Sequence, residues 1–192
     1  RIGEKMPLTI LSGYTGVGKT QLVVKVNETL DLEGLANHRG SSFGSKLAGQ
    51  PTQIAFENEL AVQLIKHEEK AYPYILLEDE SRLIGARAIP LELHEKMKLS
   101  PVILLTLDLQ NRMENIRREY VDERLQEYLA AETPEPFIAL KESLTGSIKG
   151  IKRRLGDERH RQIFQLIESA VVDQQNLKRG LAARKFFNEN QL

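Results

Sequence analysis

The stretch Pro7–Thr20, PLTILSGYTGVGKT, constrains the fold of this chain more than any other. An apolar run, Leu8 to Leu11, leads into Gly13-Tyr14-Thr15-Gly16-Val17-Gly18-Lys19-Thr20, which fits G-x-x-x-x-G-K-[ST], the phosphate-binding P-loop. Each residue type has a physical reason to be there. Glycines at 13, 16 and 18 let the backbone turn so that successive N–H groups converge on an anion. Lys19 adds a mobile point charge for the outer phosphates. Thr20 brings a hydroxyl suited to magnesium, and the helix it opens presents its positive dipole end to the phosphate. The motif therefore predicts a strand, a loop and a helix in that order, with helix-compatible QLVVKVNETL following.

Further along, strand and helix patterns alternate. A second strand is expected at Glu28–Leu32, a helix from Pro51-Thr52 to Lys70, a third strand at Tyr74–Leu77, a helix over Leu91–Lys98 and a fourth strand at Pro101–Leu107. The P-loop helix is expected to run from Lys19 to Val26, and Ile54, Ala61, Leu64 and Ile65 are the expected buried stripe of the helix after Thr52. Alternation of this kind requires a parallel sheet with right-handed crossovers. The expected fold is α/β: a three-layer P-loop NTPase-type domain over residues 1–132. A helical C-terminal extension follows at 133–192, with one helix at Phe137–Ile148 and a last one after Asp157 that turns Ile163, Phe164, Ile167 and Val171 inward. The final NLKRGLAARKFFNENQL reads as a weakly held tail.

Composition narrows the function classes. The 192 residues are 41% hydrophobic and 28% charged, typical of a globular chain with a real core. Lys+Arg 27 balance Asp+Glu 27, so nucleic-acid binding has to come from a local patch. The densest one is Lys149, Lys152, Arg153, Arg154, Arg159, His160 and Arg161; Lys152, Arg153 and Arg154 are the candidate RNA contacts, although a solvated helix surface has the same pattern. No cysteine means no disulfide, thiolate metal site or cysteine nucleophile within the chain. There is neither a run of 18 apolar residues nor a signal-like start, which predicts no membrane association and a cytoplasmic location. An opening RIGEK without methionine predicts a piece of a longer protein.

Two segments beside the P-loop carry candidate chemistry. The third strand ends in Glu78-Asp79-Glu80, the Walker B pattern that brings a carboxylate to magnesium, so Thr20 and Asp79 are the expected metal ligands, with Glu78 the alternative. Arg82 and Arg87 follow, where guanidiniums either grip phosphate oxygens or pair with the neighbouring acids. The long segment LANHRGSSFGSKLAGQPTQ lies at the carboxyl edge of the sheet, where open α/β folds bind ligands. In the long helix expected at Asn111–Ala131, Arg112, Arg117, Arg118 and Arg124 resemble the lid arginines of P-loop kinases; a solvated face with Glu114 and Arg118 paired is the competing reading. A regulatory GTPase fits poorly: Asp31-x-x-Gly34 precedes the Walker B strand and no Asn-Lys-x-Asp occurs. A P-loop ATPase or small-molecule kinase fits these residues.

A more specific likeness lies in Asp31-Leu-Glu-Gly-Leu-Ala-Asn-His-Arg-Gly-Ser-Ser-Phe-Gly44, Gln50-Pro51-x-Gln53 with Phe56-Glu57, Glu78-Asp79-Glu80-Ser81-Arg82-x-Ile84-Gly85 and Ile89-Pro90. Together these resemble the P-loop half of tRNA 2-selenouridine synthase over about Leu8 to Leu107. The resemblance implies a transferase that replaces the sulfur of wobble 2-thiouridine with selenium from selenophosphate, through an S-geranylated intermediate made from geranyl diphosphate. It implies tRNA as partner, together with a rhodanese-like domain or subunit that carries the catalytic cysteine and is not in this chain. The chain would then be the C-terminal half, one subunit of a split enzyme, or a relative that kept only the P-loop chemistry. Under this resemblance Asp31, Arg39, Glu78 and Arg82 are the catalytic candidates. Asn37, His38, Arg39, Ser41, Ser42, Phe43, Arg82 and Arg87 would meet the substrate, and Gly13 to Thr20 would hold ATP, GTP or the diphosphate of geranyl diphosphate with Mg2+. Leu35, Phe43, Phe56 and Ile84 are the expected walls of an apolar channel for the geranyl chain.

Overall fold

A computed structural model describes residues 6–170 and 172. Within them the P-loop prediction is met. Strand β1 (Leu8–Ser12) leads through the glycine loop into helix α1 (Lys19–Val23). The helix stops short of Val26 because the Thr29 hydroxyl sits 2.6 Å from the carbonyls of both Val23 and Val26, satisfying acceptors that another helical turn would have used. Strand β2 shrinks to Thr29–Leu30, and β3 covers Ile75–Glu78.

The hairpin β4 (Leu83–Ile84) and β5 (Arg87–Ala88) then precedes the fourth strand of the main sheet, β6 (Val102–Leu104). The main sheet is parallel in the order β2-β3-β1-β6, with Leu8, Thr9, Ile10 and Leu11 opposite Ile75, Leu76, Leu77 and Glu78. The glycine loop therefore leaves the middle of the sheet, and the acids of β3 end directly beside it.

Alternation along the strands builds the core on both faces. On one face, Leu8, Ile10, Leu30, Ile75 and Leu77 pack with Phe56, Leu60, Leu64, Ile84, Ile89 and Met97; on the other, Leu11 and Leu76 meet Val23. Helix α3 (Gln53–Glu69) is capped by Thr52, whose hydroxyl accepts from the Ala55 N–H at 3.2 Å. Its buried stripe is Phe56, Leu60, Leu64 and His67, so only Leu64 of the expected set is buried and Ile54 is 71% exposed. The spacing i, i+4, i+8, i+11 from Phe56 explains the rotation: the bulkiest apolar side chain sets which face turns inward. Strand β6 keeps only three of the residues expected in it, and Val102, Ile103 and Leu104 are exposed, because it is the edge of the sheet.

Between β2 and α3 lies α2 (Leu32–Leu35), followed by a loop that is ordered by its own hydrogen bonds. The Arg39 N–H donates to the Gly44 carbonyl at 2.9 Å, and His38 bridges Ser45 in antiparallel fashion. Gln50 donates to the carbonyls of Ala36 at 3.0 Å and Ile84 at 2.9 Å, and its side-chain oxygen accepts from the Ala86 N–H at 2.7 Å. Gln53 makes the matching pair with the backbone of Ala88, accepting at 2.9 Å and donating at 2.8 Å. The Gln-Pro-x-Gln signature is thus a backbone clamp that locks the hairpin to the loop.

Helix α4 (Leu91–Lys98) matches its expected span. The expected long helix at Asn111–Ala131 is three pieces: α5 (Leu109–Arg117), a π-helical turn (Arg118–Asp122) and α6 (Glu123–Ala130). The chain divides into compact units at Asp122/Glu123, whereas the sequence pattern places the division at 132, because α6 packs on α7 (Pro136–Gly150). In the second unit the short α8 (Lys152–Leu155) precedes a helix over 157–170 in which Ile163, Phe164 and Ile167 are half-buried. Val171 and the expected tail lie outside the described residues. Among the described residues no helix is long and apolar enough to cross a membrane.

Candidate functional site

The first unit carries a cleft of about 330 Å³ at the carboxyl edge of its sheet. One wall is the P-loop: Gly13, Thr15, Gly16, Gly18, Lys19 and Thr20. Gly16 has a φ of +83°, and a Cβ there would lie 2.6 Å from the Arg112 carbonyl oxygen and 2.8 Å from an Ile116 methylene, so only glycine fits. Helix α5 closes on the loop from that side. Arg112 Nε donates to the Thr15 carbonyl at 3.1 Å, and Asn115 Nδ2 donates to the Gly16 carbonyl at 2.7 Å. The Arg112 guanidinium also lies 4.8 Å over the Tyr14 ring. Lys19 donates its ammonium to the Gly13 carbonyl at 2.8 Å, a bond that an arriving phosphate would compete for.

Carboxylates form the opposite wall. Glu78 ends β3 and is fully buried; Glu80 follows it, and Glu33 comes from α2. Oxygens of the three approach within 4.8 Å of one another. The Thr20 hydroxyl is the donor that acts on the Glu78 carboxyl. Burial, opposed by the nearby Thr20 hydroxyl and aided by the charge of Glu80, pushes the Glu78 carboxyl up to about 7. Burial and the charges of Glu78 and Glu80 push Glu33 up to about 9, and it shares a hydrogen bond with Glu80, which burial also raises. Gly40, with φ +58°, passes so close to Glu33 and Glu80 that a Cβ would collide with both carboxylates.

The remaining rim is Arg39, Ser41, Glu119 and Tyr120. Arg39 Nε is 3.8 Å from Glu119 Oε1, with the Arg39 side chain only 9% exposed. Burial raises the Tyr120 phenol to about 12, and its hydroxyl donates a long 3.4 Å bond to the Arg39 carbonyl. The π-helical turn explains why the adjacent residues Glu119 and Tyr120 both line the cleft: its wider turn re-registers the helix face there.

Not all expected residues gather here. Asp31 caps α2, accepting from the Gly34 N–H at 2.7 Å, and does not line the cleft. Asp79 lies on the rim but accepts from the Ser12 hydroxyl at 2.6 Å and stands outside the three-glutamate cluster. Arg82 is exposed and Arg87 half-buried on the hairpin, both away from the cleft lining. Asn37 donates to the Gly49 carbonyl at 2.6 Å, His38 is buried beside Gly85, and Ser42 is exposed. Phe43 meets Tyr120 edge-on at 6.4 Å. The apolar channel is not found among the described residues: Phe56 and Ile84 are wholly buried in the core, Leu35 packs against it, and the cleft lining is mostly polar.

Sequence reasoning passed over Glu33, Gly40, Asn115, Glu119 and Tyr120. The spacing of 115 and 119 shows only that they share a helix face, and nothing local aims that face at the P-loop. Of the candidate lid arginines, Arg118 bonds Asn115 Oδ1 at 2.8 Å rather than Glu114, and Arg117 pairs with Asp122 at 3.1 Å. In the second unit Lys152 pairs with Asp157 at 3.0 Å, while Arg153 and Arg154 are exposed.

Comparison with known proteins identifies the family. The family model described as the tRNA 2-selenouridine synthase AAA domain matches residues 6–187. A tRNA 2-selenouridine synthase from Pseudomonas fluorescens Pf-5 is 43% identical over 171 residues, covering 89% of this chain and 47% of the relative. One from Shewanella loihica is 45% identical over 175 residues, covering 91% and 47%. The chain thus spans about half the length of the curated relatives it matches. No solved structure matches. With the family model covering nearly the whole chain, and the P-loop, the acids of β3 and the Gln50–Gln53 clamp all in place, the chain belongs to the tRNA 2-selenouridine synthase family.

Proposed function

We propose that this chain is the P-loop portion of an enzyme that modifies the wobble uridine of tRNA, a transferase that takes 2-thiouridine through geranylation to selenium replacement. The observation that carries the reading is the phosphate cradle of Gly13 to Thr20 facing a wall of acids in one cleft. The cradle suits two adjacent phosphates, and so suits the diphosphate of geranyl diphosphate as a leaving group. When the carbon–oxygen bond to that diphosphate breaks and the uridine sulfur takes the carbon, negative charge grows on the diphosphate. Lys19 and the inward backbone N–H groups are then placed to stabilise it. Arg39, on the cleft rim, is the guanidinium best placed for the same anion.

Magnesium is the cation implied by a P-loop threonine, and the site suits it: Thr20 and Asp79 both line the cleft, which is rich in oxygen donors. Bound there, the ion would neutralise the diphosphate. Arg153 and Arg154 are the proposed tRNA contacts. The cysteine chemistry and selenophosphate handling belong to a rhodanese-like domain or subunit outside this chain, and the location is cytoplasmic.

The mostly polar lining favours a second reading, a P-loop ATPase or small-molecule kinase, because a geranyl chain needs apolar walls. Calorimetric titration of geranyl diphosphate, ATP and GTP with magnesium separates the two. Tight geranyl diphosphate binding that falls roughly 10- to 100-fold in Lys19→Ala, as loss of one charge-assisted bond predicts, supports the transfer reading. Nucleotide binding alone supports the ATPase or kinase.

A further inference from the structure

We propose that the second unit holds a pocket for one unstacked nucleotide of RNA, its base laid against Phe164 and its phosphate held by Lys149. It rests on the tRNA reading above, and adds to the exposed Arg153 and Arg154 a site with a shape. The local order of the chain builds it. Helix α7 ends at Gly150, α8 ends at Leu155, and Gly156, with φ +78°, makes the left-handed turn into the helix over 157–170. Asp157, His160, Phe164 and Glu168 recur at spacings of three and four, so they share one face of that helix. With Lys149 and Lys152 they line an open concavity of about 780 Å³, inside the range of roughly 300–1,000 Å³ usual for small-ligand sites.

Most charges around the pocket are already matched. Asp157 pairs with Lys152 at 3.0 Å, Glu168 with Lys141 at 3.6 Å, and Arg161 with Glu158 at 3.0 Å. Two groups are left over. Lys149 is exposed, makes no ion pair among the described residues, and holds its ammonium 6.0 Å from the centre of the Phe164 ring. The His160 ring lies 6.1 Å from the same centre at a tilt of 31°, and its Nε2 is buried without a hydrogen-bond partner. A buried ring nitrogen left unmatched is costly, and a polar group on a ligand removes that cost.

Ring, ammonium and imidazole together define the ligand. A half-buried phenyl ring is a stacking surface that any base can use, and a lysine beside it meets the phosphate of the stacked nucleotide. The imidazole offers a hydrogen bond to the edge of the base. A base entering the pocket adds a third ring to the His160–Phe164 pair. In duplex RNA the base faces are already stacked and closed to Phe164, so the pocket selects a single strand, as in a tRNA loop. The exposed guanidiniums of Arg153 and Arg154 offer charge alone, which carries no such preference.

The test is fluorescence anisotropy of the full chain with a labelled uridine-rich single strand, the same strand in a duplex, and a tRNA, with folding checked by circular dichroism. Wild type should prefer the single strand to the duplex. Phe164→Leu should weaken single-strand binding about 5- to 100-fold, the loss of one stacked base, and leave duplex binding unchanged. Lys149→Gln, at an exposed position where folding is not at stake, should lower the salt slope for the single strand by about 0.7, one phosphate. Equal wild-type affinity for single strand and duplex overturns the proposal, as does single-strand binding unchanged in both variants. Displacement of the single strand by UMP at micromolar concentration overturns it too, because the ligand is then a free nucleotide. Equal tRNA binding by wild type and Phe164→Leu overturns the pocket and leaves the tRNA reading standing. Single-strand binding that needs Phe164, without tRNA binding, keeps the pocket and removes the tRNA reading.

Discussion

Two charged regions of this chain differ in the one respect that makes charge informative. The acids at Glu33, Glu78 and Glu80 are desolvated and crowd one another in a cleft of the first unit. The basic residues Lys152, Arg153 and Arg154 stand in water on a short helix of the second unit, and one of them is already paired at 3.0 Å. A buried, donor-poor carboxylate destabilises the fold unless a ligand compensates it, so its presence points to function. An exposed arginine costs almost nothing to keep, so its presence alone says little. The difference in burial makes the cleft the strong candidate site and the basic helix the weak one, and that ranking can be broken from either side.

The largest effect is expected at the glycine loop. Gly16→Ala places a Cβ 2.6 Å from the Arg112 carbonyl at a φ of +83°, and should cost about 1–3 kcal/mol from backbone strain alone, read by chemical denaturation. A variant as stable as wild type would mean that α5 does not close on the loop.

The acids give the next effect in size. An acid whose pKa is raised on folding holds its proton in the folded chain after the unfolded chain has lost it. The folded state therefore gains fully below the ordinary glutamate value of 4.5, and loses that gain as pH rises through about 7 for Glu78 and about 9 for Glu33. With chelator present, the melting temperature should fall as pH rises across that window, and Glu33→Gln should flatten the upper part of the fall. Identical pH profiles for the two proteins would show that Glu33 is solvated, and would remove the contrast with the basic helix.

The smallest effect on stability belongs to the exposed pair. Arg153→Glu with Arg154→Glu should shift stability by no more than about 0.5 kcal/mol, as surface changes do. If these residues touch tRNA phosphates, the slope of log affinity against log salt should drop by roughly 0.7–0.9 for each phosphate that is no longer neutralised. An unchanged slope and affinity would leave the basic helix an ordinary solvated surface.

The strand, loop and helix around Gly13 to Thr20 were legible in the sequence because the glycine, lysine and threonine requirements are local to the backbone. The span of α4 was readable because Pro90 and an apolar period mark it. The inward face of α3 was misread. Ile54 and Phe56 are both strongly apolar, and only the space above the sheet decides that Phe56 fills it. The break at Arg118–Asp122 was invisible, since no proline or glycine marks a π turn.

The sequence by itself determined that this chain carries a glycine-rich G-x-x-x-x-G-K-T loop on a parallel sheet, and to which family it belongs: both rest on short strings whose spacing is set by covalent geometry. Tertiary structure alone decided which acids form the site. Glu33 is 45 residues from Glu78 along the chain, and they meet only because β2 and β3 lie side by side and parallel, so that the residues after each strand emerge at the same edge. How Glu78 and Asp79, which both line the cleft, differ in their partners is likewise a matter of the alternation of β3. Successive side chains on a strand point to opposite faces, so Glu78 meets Glu33 and Glu80 while Asp79 accepts from Ser12.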